Sequence, residues 1–124
     1  MECKSQNADV TEKIIGAAFA VYGELGYGFL ESVYQKAMQV ELHRAGLQLE
    51  IESPVRVKYQ NVIVGDFCAD LLLNEVVIVE LKTAKNYIAE DEPQLLNELK
   101  ATGIKVGLPI NFGRTKVEFK RMVF

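Results

Sequence analysis

The stretch that decides the fold is Val76-Val-Ile-Val-Glu-Leu-Lys82. Its apolar residues fall on both faces of an extended chain, which marks a strand at the centre of a sheet. Glu80 and Lys82 break the pattern. Period-two geometry sets both on one face with Val76 and Ile78. A carboxylate and an ammonium on a central strand are costly to desolvate unless they are paired or bound to something. Either they form an ion pair where the strand meets water, or they are placed for chemistry.

Just upstream, Asn74-Glu75 reads as a tight turn, and Val62 to Leu73 as the strand before it. Gly65 marks a bulge or kink in that strand. Asp70 interrupts an otherwise apolar run, with Ala69 before it and Leu71-Leu-Leu after it. A two-residue turn would pair Leu73 with Val76 and set Asp70 opposite Val79, diagonal to Glu80. Carboxylates that close repel and raise each other's pKa, and a divalent cation removes the penalty. Oxygen-only ligands favour Mg²⁺ or Mn²⁺. The alternative is that Asp70 caps the hairpin in solvent.

The N-terminal half is helical. Residues 1–8 are polar and expected to fray, leaving residues 9–124 as a single domain. Asp9 is the expected N-cap of a first helix, with Glu12 completing a capping box. Ile14, Ile15, Ala18, Phe19, Tyr22 and Leu25 define its apolar face, and Gly26 and Gly28 end it. A second helix is predicted from about Leu30 to Ala45, capped by Gly46. Its buried stripe takes in Leu30, Val33, Tyr34, Ala37, Met38 and Leu42. Glu31 shares that stripe near the helix start, where the dipole favours an acid.

Pro54 separates two expected strands, 47–51 and 55–59. After the central strand a loop covers 84–90, followed by a helix over about 91–101. Pro93 is tolerated in its first turn and Gly103 caps its end. Gln94 lies early on this helix and reads as an ordinary exposed polar residue. Strands over 104–112 and 117–124 complete a mixed sheet flanked by helices, an α/β fold. Pro109 removes a ladder donor, so its strand is expected at an edge or bulged.

Composition narrows the class. The chain has 124 residues, 49% apolar and 25% charged, with a net charge of −3. Two cysteines, Cys3 and Cys68, cannot make a zinc framework. Cys68 reads as a small core residue and His43 as a surface helix residue. No signal-peptide pattern is present, and no apolar run approaches the roughly 20 residues of a membrane span. A soluble, cytoplasmic protein with no membrane contact is expected. Residues 100–124 carry six basic side chains and one acid, on a body otherwise rich in acids. A basic tail of this kind is a prior for an anionic partner.

Gly28-Phe-Leu-Glu31-Ser-Val-Tyr34 resembles the motif of the GxxExxY proteins, a small bacterial and archaeal branch of the PD-(D/E)XK nuclease-like superfamily. Ala69-Asp-Leu-Leu-Leu, Val79-Glu-Leu-Lys, Gln94-Leu-Leu-Asn and Ile110-Asn-Phe-Gly follow in the family's order. The resemblance implies a restriction-endonuclease-like core. It implies Asp70 and Glu80 as metal-binding acids, Lys82 as the catalytic lysine, Glu31 as the helical acid, and Gln94 as the polar residue on the following helix. Glu31 would complete the metal shell or hold a metal-bound water. The sequence departs from the pattern at Glu98, where an aromatic is usual, at Pro109, where Leu is usual, and at Pro93.

The expected function is hydrolysis of phosphodiester bonds in nucleic acid, DNA before RNA, with Mg²⁺ or Mn²⁺ as cofactor. A homodimer is expected because cutting two strands takes two sites. The rival is a binding or interaction module that keeps the nuclease fold without efficient catalysis.

Overall fold

The computed structural model describes residues 7–124. In chain order the elements are α1 (Ala8–Leu25), α2 (Glu31–Arg44), β1 (Leu49–Tyr59), β2 (Val62–Leu73), β3 (Val77–Lys82), a short 3-10 turn (Ala89–Asp91), α3 (Glu92–Thr102), β4 (Val106–Phe112), β5 (Val117–Phe119) and β6 (Met122–Val123). The mixed sheet runs β1-β2-β3-β4-β5, with β6 also on β4. Only β3 and β4 are parallel, joined through α3.

Helices cover both faces of this sheet. On one face, α1 and α2 bury Ile14, Ala18, Tyr34, Met38 and Leu42 against Val77, Val79, Leu81, Leu108, Ile110 and Phe112. On the other, Leu95 and Leu99 of α3 pack on Ile78, Val55, Ala69 and Met122. Alternation along β3 therefore sends Val77, Val79 and Leu81 to the two-helix side and Ile78, Glu80 and Lys82 to the α3 side.

Several expectations change. The first helix begins at Ala8, with Asn7 in the cap position and Asp9 already in the first turn. The reason is that the Thr11 amide bonds back to Asn7 O, adding a residue before Asp9. Of residues 1–8, expected to fray, Ala8 already opens α1 and Asn7 caps it, while residues 1–6, Cys3 among them, lie outside the described residues. Leu30 is 75% exposed, because it precedes α2 as its N-cap and so never joins the buried stripe. Residues 49–59 form one strand through Pro54, since β1 is the sheet's edge and pairs with β2 alone.

The β2–β3 turn has three residues, not two. Asn74 exchanges two hydrogen bonds with Gln48: its N–H donates to Gln48 O at 2.8 Å, and its Oδ1 accepts from Gln48 N at 2.8 Å. Asn74 and Glu75 both adopt positive φ. The register becomes Leu73–Val77 and Leu71–Val79, which, continued, sets Asp70 directly across from Glu80.

Pro109 is neither at an edge nor in a bulge. It sits inside β4, between β3 on one side and β5 and β6 on the other. Its carbonyl accepts from Lys120 N at 3.2 Å, so its nitrogen points the same way, into the gap between β5 and β6. The expected last strand is split in two at that gap, and no ladder bond is missed.

Candidate active site

The site forms where two strands part. The β2–β3 ladder ends at Leu71–Val79, although both strands continue. Beyond that pair, Asp70 Oδ2 accepts the Leu81 amide at 2.7 Å, so a side chain replaces the missing ladder partner. Side-chain alternation along β2 also slips here. Leu71 and Leu73 face the two-helix core, yet Ala69 and Phe67 face the α3 core. Opposite the slip, Glu52 of β1 adopts a φ of 51°. The slip corrects the reading of Cys68, which is exposed because Ala69 and Phe67 take the inward positions.

Two clefts flank this seam, and Asp70 opens on one of them. One, on the α2 side, is lined by Glu31, Ser32, Gln35, Glu52, Asp70 and Leu81. Gln35 closes its wall, donating from Nε2 to Asp70 O at 3.2 Å. The other, on the α3 side, holds Glu80, Lys82, Tyr87, Gln94, Pro109 and Asn111 among its lining. The structure thus brings Glu80, Lys82 and Gln94 to one cleft and Glu31 and Asp70 to the other.

Acid crowds this seam. Glu80 is 7% exposed, and its carboxyl is pushed up to about 10, first by burial and then by the adjoining carboxyls of Glu98 and Asp70. Burial likewise raises Asp70, opposed by the Leu81 amide. Burial and the charge of Asp70 raise Glu31. Lys82 makes no ion pair with Glu80. Its charge instead favours the ionised forms of Asp70 and Glu31.

Tyr34 is a packing residue. It is wholly buried, stacks on Phe112 with ring centroids 4.4 Å apart, and its hydroxyl donates to the Gly26 carbonyl. Asn111 anchors the chain leaving β3. Its Oδ1 accepts from Ala84 N and its Nδ2 donates to Ala84 O, both at 2.9 Å. Glu118 Oε1 then takes the Tyr87 amide at 2.8 Å, fixing the loop that borders the α3-side cleft.

Sequence reasoning did not place Glu98 in the site. It is wholly buried beside Glu80, and its Oε2 accepts Gln94 Nε2 at 3.1 Å. The four-residue spacing from Gln94 was the available signal, since it sets both on one helix face.

The donor chemistry suits a hard divalent cation. The ligating groups are all oxygen, and Glu80 Oε2 and Glu98 Oε1 are buried without a hydrogen-bond partner. Among the described residues, however, no three His, Cys, Asp or Glu side chains are already gathered for a metal. The slip at Asp70 divides the acids between two clefts.

A mixed sheet between helical layers, with an acid where one strand leaves the ladder and Glu-x-Lys on the next, defines a restriction-endonuclease-like α/β protein. The chain belongs to the PD-(D/E)XK nuclease superfamily, whose family model matches residues 8–122. That membership points to nuclease-type function, a nucleic-acid substrate and, as is typical of the superfamily, a divalent metal. The crystal structure of SSO0001 is similar in fold, with a TM-score of 0.61 at 13% identity, over 98% of this chain and 69% of that one. No curated protein matches in sequence. No helix among the described residues is long and apolar enough to cross a membrane.

Proposed function

We propose that this chain is a divalent-metal-dependent nuclease of the GxxExxY branch, acting in the cytoplasm on DNA in preference to RNA, as a homodimer. One observation carries the reading. The carboxyls of Asp70 and Glu80 adjoin where β2 and β3 part, with a buried, unpartnered oxygen on Glu80. Asp70 and Glu80 would hold Mg²⁺ or Mn²⁺, with Glu31 completing the set from the α2 side. When bound, the cation supplies Lewis acidity toward a phosphoryl oxygen and lowers the pKa of water.

The chain's own groups do the rest. Lys82 shares a strand face and a cleft with Glu80, so its ammonium can stabilise the negative charge that builds on the phosphate. Gln94 lines the same cleft and is held by Glu98, ready to orient a phosphate or a water through its carboxamide. Glu31 and Gln35 line the cleft with Asp70, whose carboxylate is held in place by the Leu81 amide.

A nuclease-fold binding module is favoured by a different observation, the absence of a gathered three-residue metal cluster among the described residues. Calorimetric titration with Mn²⁺, paired with cleavage assays on single- and double-stranded DNA and RNA, separates the two. Wild type is expected to bind the metal and cut. An Asp70→Asn, Glu80→Gln double variant is expected to do neither. Lys82→Ala is expected to bind the metal but cut at least about 100-fold more slowly. Metal binding without cutting by wild type would favour the binding module.

A further inference from the structure

The loop between α1 and α2 turns its large apolar side chains outward. Tyr27 is 39% exposed, Phe29 48% and Leu30 75%. Residues 26–30 carry no charge. A single exposed apolar residue is ordinary, but three within four positions mark an interaction surface.

The loop is also held in place. Gly26 N–H donates to Tyr22 O at 2.8 Å, and Gly26 O accepts from the buried Tyr34 hydroxyl. Phe29 N–H donates to that same hydroxyl at 3.4 Å, and Val33 N–H donates to Leu30 O at 2.9 Å. The Phe29 ring stands edge-to-face with Tyr34, centroids 6.3 Å apart. Gly28, at a φ of 119°, makes the turn that glycine alone adopts readily. Tyr34 itself is stacked on Phe112, so the core fixes rings that stay half in water. Such ordering gives up freedom without burial in return, and pre-organisation of this kind favours a ligand.

The loop borders the proposed site. Leu30 directly precedes Glu31, which lines the α2-side cleft with Asp70. Phe112, against Tyr34, ends β4, and the turn that follows carries Arg114 and Lys116. An uncharged aromatic surface offers a phosphate nothing. Nucleobases are the flat, apolar faces of a nucleic acid, and they are open to stacking where the strand is unpaired.

We propose that Tyr27, Phe29 and Leu30 form a stacking platform for unpaired bases, beside the cleft that takes the phosphate. The inference rests on the nuclease reading above and names the form of DNA it uses: a single strand or a frayed end rather than a closed duplex.

The test is fluorescence anisotropy in chelator, with a labelled single-stranded DNA and a blunt duplex of equal length, across a salt series. Wild type is expected to bind the single strand at least about fivefold more tightly. Phe29→Ala should lower that affinity at least about fivefold, and Phe29→Trp should restore it. The salt slope should stay unchanged in both, since stacking releases no counterions from phosphate. Leu30→Ala, at a side chain too exposed to support the fold, should also weaken the single strand more than the duplex. Equal affinity of wild type for the two DNAs would overturn the platform, as would full affinity in both alanine variants. Cleavage by wild type with Mn²⁺ would leave the nuclease reading standing in either case. Wild type that neither binds nor cuts either DNA would overturn both.

Discussion

At neutral pH the metal-free fold keeps a proton on Glu80, because burial and the Glu98 and Asp70 carboxyls push its pKa up to about 10. The unfolded chain releases that proton near the ordinary value of 4.5. The folded state therefore binds more protons between these limits, and stability falls as pH rises through the window. In chelator, the melting temperature of wild type is expected to drop between about pH 5 and about pH 9. Glu80→Gln should flatten that slope and raise the melting temperature near pH 8 by at least about 3 °C. Thermal melts across pH check this, and an unchanged slope in the variant would count against it. The same residue explains why single acids were legible and their arrangement was not. Glu80 and Asp70 stand out in the sequence because each interrupts an apolar run. Nothing in their spacing shows that Glu98, eighteen residues further on, comes to rest against Glu80.

Helix α3 fits closely on the sheet. Gly107 of β4 lies beneath Leu95, and a Cβ there would stand 3.0 Å from a Leu95 methyl. Leu95 is 1% exposed, so it has little room to yield. Gly107→Ala is expected to cost about 1–3 kcal/mol of stability and to shift α3 away from β3. Since α3 carries Gln94 and Glu98, cleavage should fall as well. Chemical denaturation and a cleavage assay together report both effects. A variant as stable and active as wild type would mean that α3 tolerates the displacement. The helix itself was readable from Pro93 in its first turn and Gly103 at its end, where φ is 78°. So was β3, from apolar residues on both faces. The β2–β3 register was not, because the turn is widened by the long-range exchange between Asn74 and Gln48. The place of Pro109 was equally hidden. A gap between β5 and β6 belongs to strands that follow it in the chain.

Across the whole molecule the basic tail of the sequence divides in two. Lys105 lies just before the start of β4, over the ring of Phe124, and Lys100 lies near the end of α3. Arg114 and Lys116 lie at the opposite end, in the β4–β5 turn, where the Arg114 amide donates to Lys85 O. That is the end to which Lys82 and Asn111 bring the α3-side cleft. Lys120 is already paired with Glu92 at 3.1 Å. The charges beside the cleft should therefore carry the phosphate contacts. Replacing Arg114 and Lys116 with Ala is expected to weaken nucleic-acid binding and reduce the salt slope by about 2. The same change at Lys100 and Lys105 should leave the slope nearly unaltered. Fluorescence anisotropy across a salt series measures both, and equal losses from the two pairs would contradict the assignment.

The parting of β2 from β3 also grades the molecule's rigidity. Past Asp70, the outer half of the β1–β2 hairpin is bonded along its length only to itself. Its far end exposes Tyr59, Val62, Ile63 and Val64, so little buried apolar surface holds it down. Segments with few buried contacts open first, at a fraction of the free energy of global unfolding. The α3 core still holds the hairpin at Ala69, Phe67 and Val55, so the part free to open is the tip beyond them, and the acidic seam at Asp70 stays on the rigid side of that hinge.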